Sequence, residues 1–278
     1  DASVLKLYSK LVEPGGTYTV PRTEVASNIV LQQDTTVSYP DFNVNAGNRL
    51  DVNGHVLTMN TDYTQSTSSN AQGLYMQTVG SEVFIAGDAT FQGSGTSYMN
   101  VGSLHLRGDL TVQSGDSFKP GPNFVTYLDG TTPQAVQFYR ASTSYTRFGD
   151  LTVSNPAGVT FAATTGTDDF AAYDVVVEDG AVLRASEFQA LTSLTLNGSA
   201  RIEGPSGSRM TALDSSQLMD MNGTSTVYAS TVHLGQDLQM EAGTELDASV
   251  VKLYSKLVEP GGTYTVPRTE VASNIVLQ

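Results

Sequence analysis

Apolar and polar residues alternate along most of this chain. Leu, Val, Ile and Phe recur at every second position in short runs, and a turn bearing Gly or Asn separates each run from the next. The pattern is seen in RLDVNGHVLTMN (49–60), EVFIAGDATFQG (82–93), LHLRGDLTVQSG (104–115), DLTVSNPAGVTF (150–161), DVVVEDGAVLRA (174–185), SLTLNGSARIEG (193–204) and TVHLGQDLQMEAG (231–243). A period of two predicts half-buried strands, and helical spacing is nearly absent. Glycines at the centres of such motifs, Gly87, Gly108, Gly130, Gly158, Gly180 and Gly198, lie 21, 22, 28, 22 and 18 residues apart. A meander of hairpins has no reason to hold one motif at one spacing for so long. The cadence predicts an all-β fold, a parallel β-solenoid in which equivalent positions stack about 4.8 Å apart. Apolar side chains then point inward and Thr, Ser, Gln and Asp outward, with Gly and Asn at corners that need positive φ.

Three stretches depart from the cadence. Residues 61–72, TDYTQSTSSNAQ, are polar and predict a loop thrown out from a corner. Residues 117–149 carry Pro120, Pro122 and Pro133 with Phe118, Phe124, Tyr127, Phe138, Tyr139, Tyr145 and Phe148, which predicts a widened turn with an external aromatic cluster. Residues 1–12 alternate less cleanly. A short helix through LYSKLV (7–12) competes there with a strand, which Tyr18, Val20 and the junction copy described next favour.

Residues 1–32 and 247–278 are the same sequence apart from Leu5 against Val251, at an offset of 246 residues. Such identity implies a duplicated unit: residues 1–246 form one full repeat, 247–278 begin the next, and the chain is a window on a tandem array. At the observed cadence one unit holds about 11–12 coils and is roughly 50–60 Å long. The boundary GTELDASVVKLYSKLVEPGGTYTV (243–266) carries strand signals straight through with no spacer, so the expected array is a continuous rod. Its coil edges would invite aggregation unless the next unit covered them.

Composition narrows the function. The chain carries 28 acids against 14 bases, a net charge of −14, and the duplicated segment is neutral, so each further unit adds the same charge. A polymer of that sign repels nucleic acid and anionic lipid and stays soluble. With no cysteine, there is neither a disulfide framework nor a thiolate metal site. No apolar run is long enough to span a membrane as a helix.

Candidate chemistry is sparse. His55, His105 and His233 occupy outward strand or turn positions, and none has a second His or a Cys nearby to make a zinc site. Asp168 and Asp169, in TGTDDFAAYD (165–174), invite comparison with paired glycosidase carboxylates. Neighbours on a strand point to opposite faces, however, whereas such a pair must face one another across a groove. Asp109, Asp150, Glu178, Asp179 and Asp237 offer oxygen donors suited to structural calcium, yet no EF-hand or RTX-type loop frames them, and solvated acidic faces are the simpler reading. No catalytic, cofactor-binding or metal-ligating residue is assigned. Asn197 and Asn222 match the N-x-[ST] pattern. Tyr139 and Tyr145 are the candidates for glycan contact, although tyrosines stacked in a ladder need no ligand.

Two resemblances follow. The G-T-D-D segment at 166–169 resembles one that opens pectate-lyase-like β-helix domains before a capping helix, but here it lies mid-unit and runs into a strand. FYRASTSYTRFGDLTVSNPAGVTFAA (138–163) resembles a pattern of large bacterial adhesin-like surface proteins, F-x-x-L-x-V-x-N-x-x-G-V, through Phe148, Leu151, Val153, Asn155, Gly158 and Val159. The surrounding motifs are similar in style to β-helices of filamentous-haemagglutinin and autotransporter proteins. That likeness implies a secreted, elongated protein at the cell surface or in an extracellular fibre. It carries over no catalytic residue. Three functions are expected in descending order: a structural tandem-repeat fibre or stalk whose partners are further copies of itself, an adhesin or glycan-binding module, and a polysaccharide-active enzyme.

Overall fold

The computed structural model describes residues 4–8, 21–38, 41–69, 73–114, 117–142, 144–166, 168–212, 218–235, 237–254 and 257–271. Among these residues there is no helix. Strands pair in parallel from one end to the other and form a β-solenoid of about eleven turns.

Each regular coil has three short strands, and these stack into three faces. The first face rises from Thr23–Val25 through Phe42–Val44, Tyr63–Thr67, Ala89–Gly93, Leu110–Val112, Gln134–Arg140, Val159–Thr165, Val182–Arg184 and Arg201–Glu203. It continues through 226–229 and 245–248 to Thr263–Thr265. The second face begins with Ile29–Val30, Arg49–Asp51, Gly73–Met76 and Tyr98–Met99. It loses regular strand geometry around 117–121 and 141–149, then resumes through 170–172, 187–190, Arg209–Ala212, 231–234, 250–253 and Arg268–Val271. Backbone bonds carry the stack across the gap, with Gly121 N–H donating to Met99 O at 2.9 Å and Phe148 N–H to Ala171 O at 2.9 Å. The third face runs from Thr35–Val37 to Leu257–Pro260. Long strands such as Thr226–Leu234 and Glu245–Leu253 bend around the corner between the first two faces.

Alternation explains the core. In Val56–Met59, Glu82–Ile85 and Asp150–Val153, Leu57, Met59, Val83, Ile85, Leu151 and Val153 are fully buried, while the residues between them are half-exposed. Parallel strands here are buried on one face only, because the solenoid has an inside and an outside instead of covering helices. Coil length varies from 18 residues (Leu246 to Tyr264) to 26 (Tyr63 to Ala89) on the first face.

The structure corrects two sequence expectations. Within the loop predicted over 61–72, Tyr63–Thr67 is a strand with Tyr63, Gln65 and Thr67 buried; its inward positions are polar, which hid it. Residues 70–72 lie outside the described residues. The cluster at 117–149 is internal: Phe118, Phe124, Phe138 and Phe148 are wholly buried, and only Tyr139 is well exposed. An inner column of rings runs Phe42, Tyr63, Phe91, Phe118, Phe148, Phe170, Phe188, with successive centroids 4.8–6.4 Å apart. The wide coils need such large side chains to fill them.

At the start of the chain Leu5–Leu7 is a strand, and residues 9–12 of the alternative helix, with Tyr18 and Val20, lie outside the described residues. The motif glycines fall into two physical kinds. Gly158 has φ +97°, the left-handed corner expected; Gly108 has no such φ, but a Cβ there would collide with the carbonyl of Gly87 one coil below.

Candidate functional site

The chemistry-bearing residues are spread over separate coils and spent on ladder contacts. His105 lies on the outside of the third face, stacked between Phe84 and Tyr127 with both centroid separations at 4.3 Å. Its Nδ1 is 2.8 Å from Asp129 Oδ2 and its Nε2 is 3.4 Å from Glu82 Oε1. Register produces this arrangement, since Phe84, His105 and Tyr127 are direct partners on three successive strands. Sequence reasoning missed the two carboxylates, which become neighbours only when coils stack. His55 Nδ1 stands 3.6 Å from Asp34 Oδ1. Burial depresses the His233 pKa, helped by the cations of Lys252 and Arg209. The three imidazoles stay apart.

Asp168 and Asp169 do not form a reacting pair. Asp168 is buried, and its Oδ2 accepts from Gln189 Nε2 at 2.6 Å. Asp169 Oδ2 accepts from the backbone N–H groups of Ser186 and Glu187 at 2.5 and 3.3 Å. Burial raises both pKa values, and the Arg209 charge opposes the shift at Asp168. Both carboxylates therefore fasten one coil to the next.

The same use recurs among the other acids. Asp62, Asp88 and Asp109 form a corner ladder in which Oδ1 accepts the N–H of Asp88, Asp109 and Ala135 one coil above, at 2.9, 2.8 and 2.7 Å. Asp179 Oδ1 accepts from Ser199 N–H and Oγ–H, both at 2.8 Å, and these bonds hold its pKa down. Asn197 donates to Glu178 Oε2 at 3.1 Å, and Asn222 donates to Asn197 at 3.3 Å, so both Asn of the glycosylation pattern sit in a ladder. Asp150 lies beside Asp174 one coil on, and burial first, then that like charge, pushes its pKa up to about 6. Among the described residues no group of three or more His, Asp or Glu could hold a metal ion.

No protein-family model, curated protein or solved structure matches this chain. What the site can do is thus read from geometry alone.

The residues of the adhesin-like pattern divide between core and corner. Phe148, Leu151, Val153 and Val159 are buried. Asn155 is buried as well and donates to Thr132 O at 2.7 Å and to Gln134 Oε1 at 2.8 Å, while its Oδ1 accepts from Ala157 N–H at 2.8 Å. Gln134 in turn donates to Leu106 O and Gly108 O at 3.0 and 2.7 Å. This network satisfies backbone groups at a sharp corner and leaves no donor aimed at a ligand.

Of the two tyrosines considered for glycan contact, Tyr139 is 46% exposed, and Tyr145 is half-buried with the Arg140 guanidinium 3.8 Å over its ring. Other outer aromatics cover each other, as Tyr127 stacks on His105 and as Tyr75 lies tilted against Tyr98 with the Arg49 guanidinium 4.4 Å over its ring. A ring covered on its face by its ladder neighbour presents little more than an edge to a sugar. A concavity of about 390 Å³ lies between Phe161, Arg184 and Pro205, and Glu203 occupies Arg184 through a 2.8 Å ion pair.

Proposed function

We propose that this chain is part of a structural rod: a tandem-repeat β-solenoid that provides length, as a fibre or stalk outside the cell, with further copies of the same unit as its partners. The observation that carries the reading is the register of the duplicated segments. Leu5, Lys6 and Leu7 pair with Thr23, Glu24 and Val25, and their copies Val251, Lys252 and Leu253 pair with Thr269, Glu270 and Val271. The second copy does this while lying on the coil beneath it, through Val232↔Val251 and Leu234↔Leu253. A repeat that continues the ladder of its predecessor makes a rod without joints.

The use of the acids in contacts between coils fits a load-carrying stack, and the acid excess supports a soluble polymer. Electron microscopy of the longest natural array tests the proposal. It should show a thin, unjointed filament with an axial repeat of about 54 Å per unit, at about 4.8 Å per coil. Beads separated by flexible joints, or compact particles, would refute it.

A further inference from the structure

We infer that one 246-residue unit advances by eleven coils and one face, so that the end of the stack is a docking surface for the next copy turned by about a third of a turn. The inference rests on the tandem-rod reading and specifies its junction.

The pairings show the offset. Thr23–Val25 starts the first face, and eleven steps up that face lead to Thr263–Thr265. The copy of Thr23–Val25, however, is 269–271, which belongs to the second face, on the column of 187–190, Arg209–Ala212, 231–234 and 250–253. Likewise Leu5–Leu7 lies on the first face and its copy 251–253 on the second. Where both copies are described, at 4–8 and 250–254 and at 21–25 and 267–271, the local structure matches, down to the ion pairs Arg22–Glu24 at 3.1 Å and Arg268–Glu270 at 2.6 Å. Only the position around the axis has changed.

Burial makes the two ends complementary. Val251 is 0% and Leu253 5% exposed because the 231–234 strand covers them, whereas Leu5 and Leu7 are only partly buried. Thr23 is 0% exposed beneath Phe42, while its copy Thr269 is exposed, with no strand above it among the described residues. What each copy lacks, the other has. The strand that fits over Arg268–Val271 is therefore the next copy of Phe42–Val44, placed on the second face. Charge agrees along the outward column, where His233, Lys252 and Glu270 follow one another and Lys252 Nζ lies 3.6 Å from Glu270 Oε2.

Because the coil has three faces, every third unit returns to phase. A feature such as Val79, 84% exposed, would then face a different side in each successive unit. A neighbouring rod would meet the same patch only once in three units, about 160 Å, so lateral packing in single-unit register is disfavoured.

The chain has no cysteine, which gives a clean background for cross-linking the 278-residue protein. Directly opposed outward positions on neighbouring strands are within disulfide reach. We expect His233→Cys with Lys252→Cys to lose both free thiols on mild oxidation, read by mass spectrometry. Tyr228→Cys with Asp247→Cys, opposed on the first face, should do the same, and Tyr228→Cys with Lys252→Cys should keep both thiols free. A unit with a whole number of coils would return 251–253 to the first face, above Tyr228. Cross-linking of the last pair in place of the first would overturn the inference and leave the rod standing. If none of the three pairs links, the junction coil is not stacked and the rod reading fails with it.

Discussion

At the scale of the residue, alternation identified the apolar inward positions, because a strand's period of two is a local property. It could not identify the polar inward ones. Gln65 faces the interior, where its Oε1 accepts from Tyr63 Oη–H and Leu74 N–H, both at 3.0 Å, and its Nε2 donates to Ser97 Oγ at 2.5 Å. Burial raises the Tyr63 pKa far beyond its ordinary value, so the phenol stays protonated and donates. Gln65→Ala leaves a buried hydroxyl and a buried amide unpaired and should cost about 3 kcal/mol, measured by urea unfolding. Asp150 gives a pH-dependent counterpart. Its pKa is raised to about 6, so the fold favours the protonated form. Stability from this group is complete below its unfolded value near 4 and falls as pH rises through 6. A displacement of that size corresponds to at most about 3 kcal/mol, and partial solvation of the site reduces it to about 1 kcal/mol. Asp150→Asn should therefore raise the melting temperature at pH 8 and leave it unchanged at pH 4.

At the scale of the element, neighbours one coil away decide what a strand residue does. The third-face strands Glu82–Ile85, Val101–Leu106 and Asn123–Leu128 each look ordinary alone, and only their register sets Phe84, His105 and Tyr127 into one stack. The aromatic-rich stretch at 117–149 was legible as irregular, but its direction was not, since prolines and wide spacing remove the alternation that tells inside from outside. Phe148, near the end of that stretch, is the hub of the ring cluster, with the rings of Phe118, Phe138, Phe161 and Phe170 all within 6.2 Å of it. Phe148→Ala should cost about 4 kcal/mol and uncouple the halves of the stack, since a solenoid propagates order from coil to coil. Tyr139→Ala, at an exposed position on the adjacent strand, should stay within about 0.5 kcal/mol. Hydrogen exchange should show the first variant opening from the middle of the stack and the second opening as the parent does.

At the scale of the whole molecule, the sequence by itself determined the strands with apolar inward positions, the approximate coil period and the duplication, because each is a repeated local pattern that survives being read one residue at a time. It also limited chemistry, through the missing cysteines and scattered histidines. The tertiary structure alone decided where the duplicated segment falls around the axis. That position is the accumulated outcome of coils 18 to 26 residues long, each widened or tightened by its own corners and its own core side chains. No local signal reports such a sum; the backbone pairing of each coil on the last fixes it. Two identical short strands, Thr23–Val25 and its copy 269–271, thus come to rest on different faces of one solenoid.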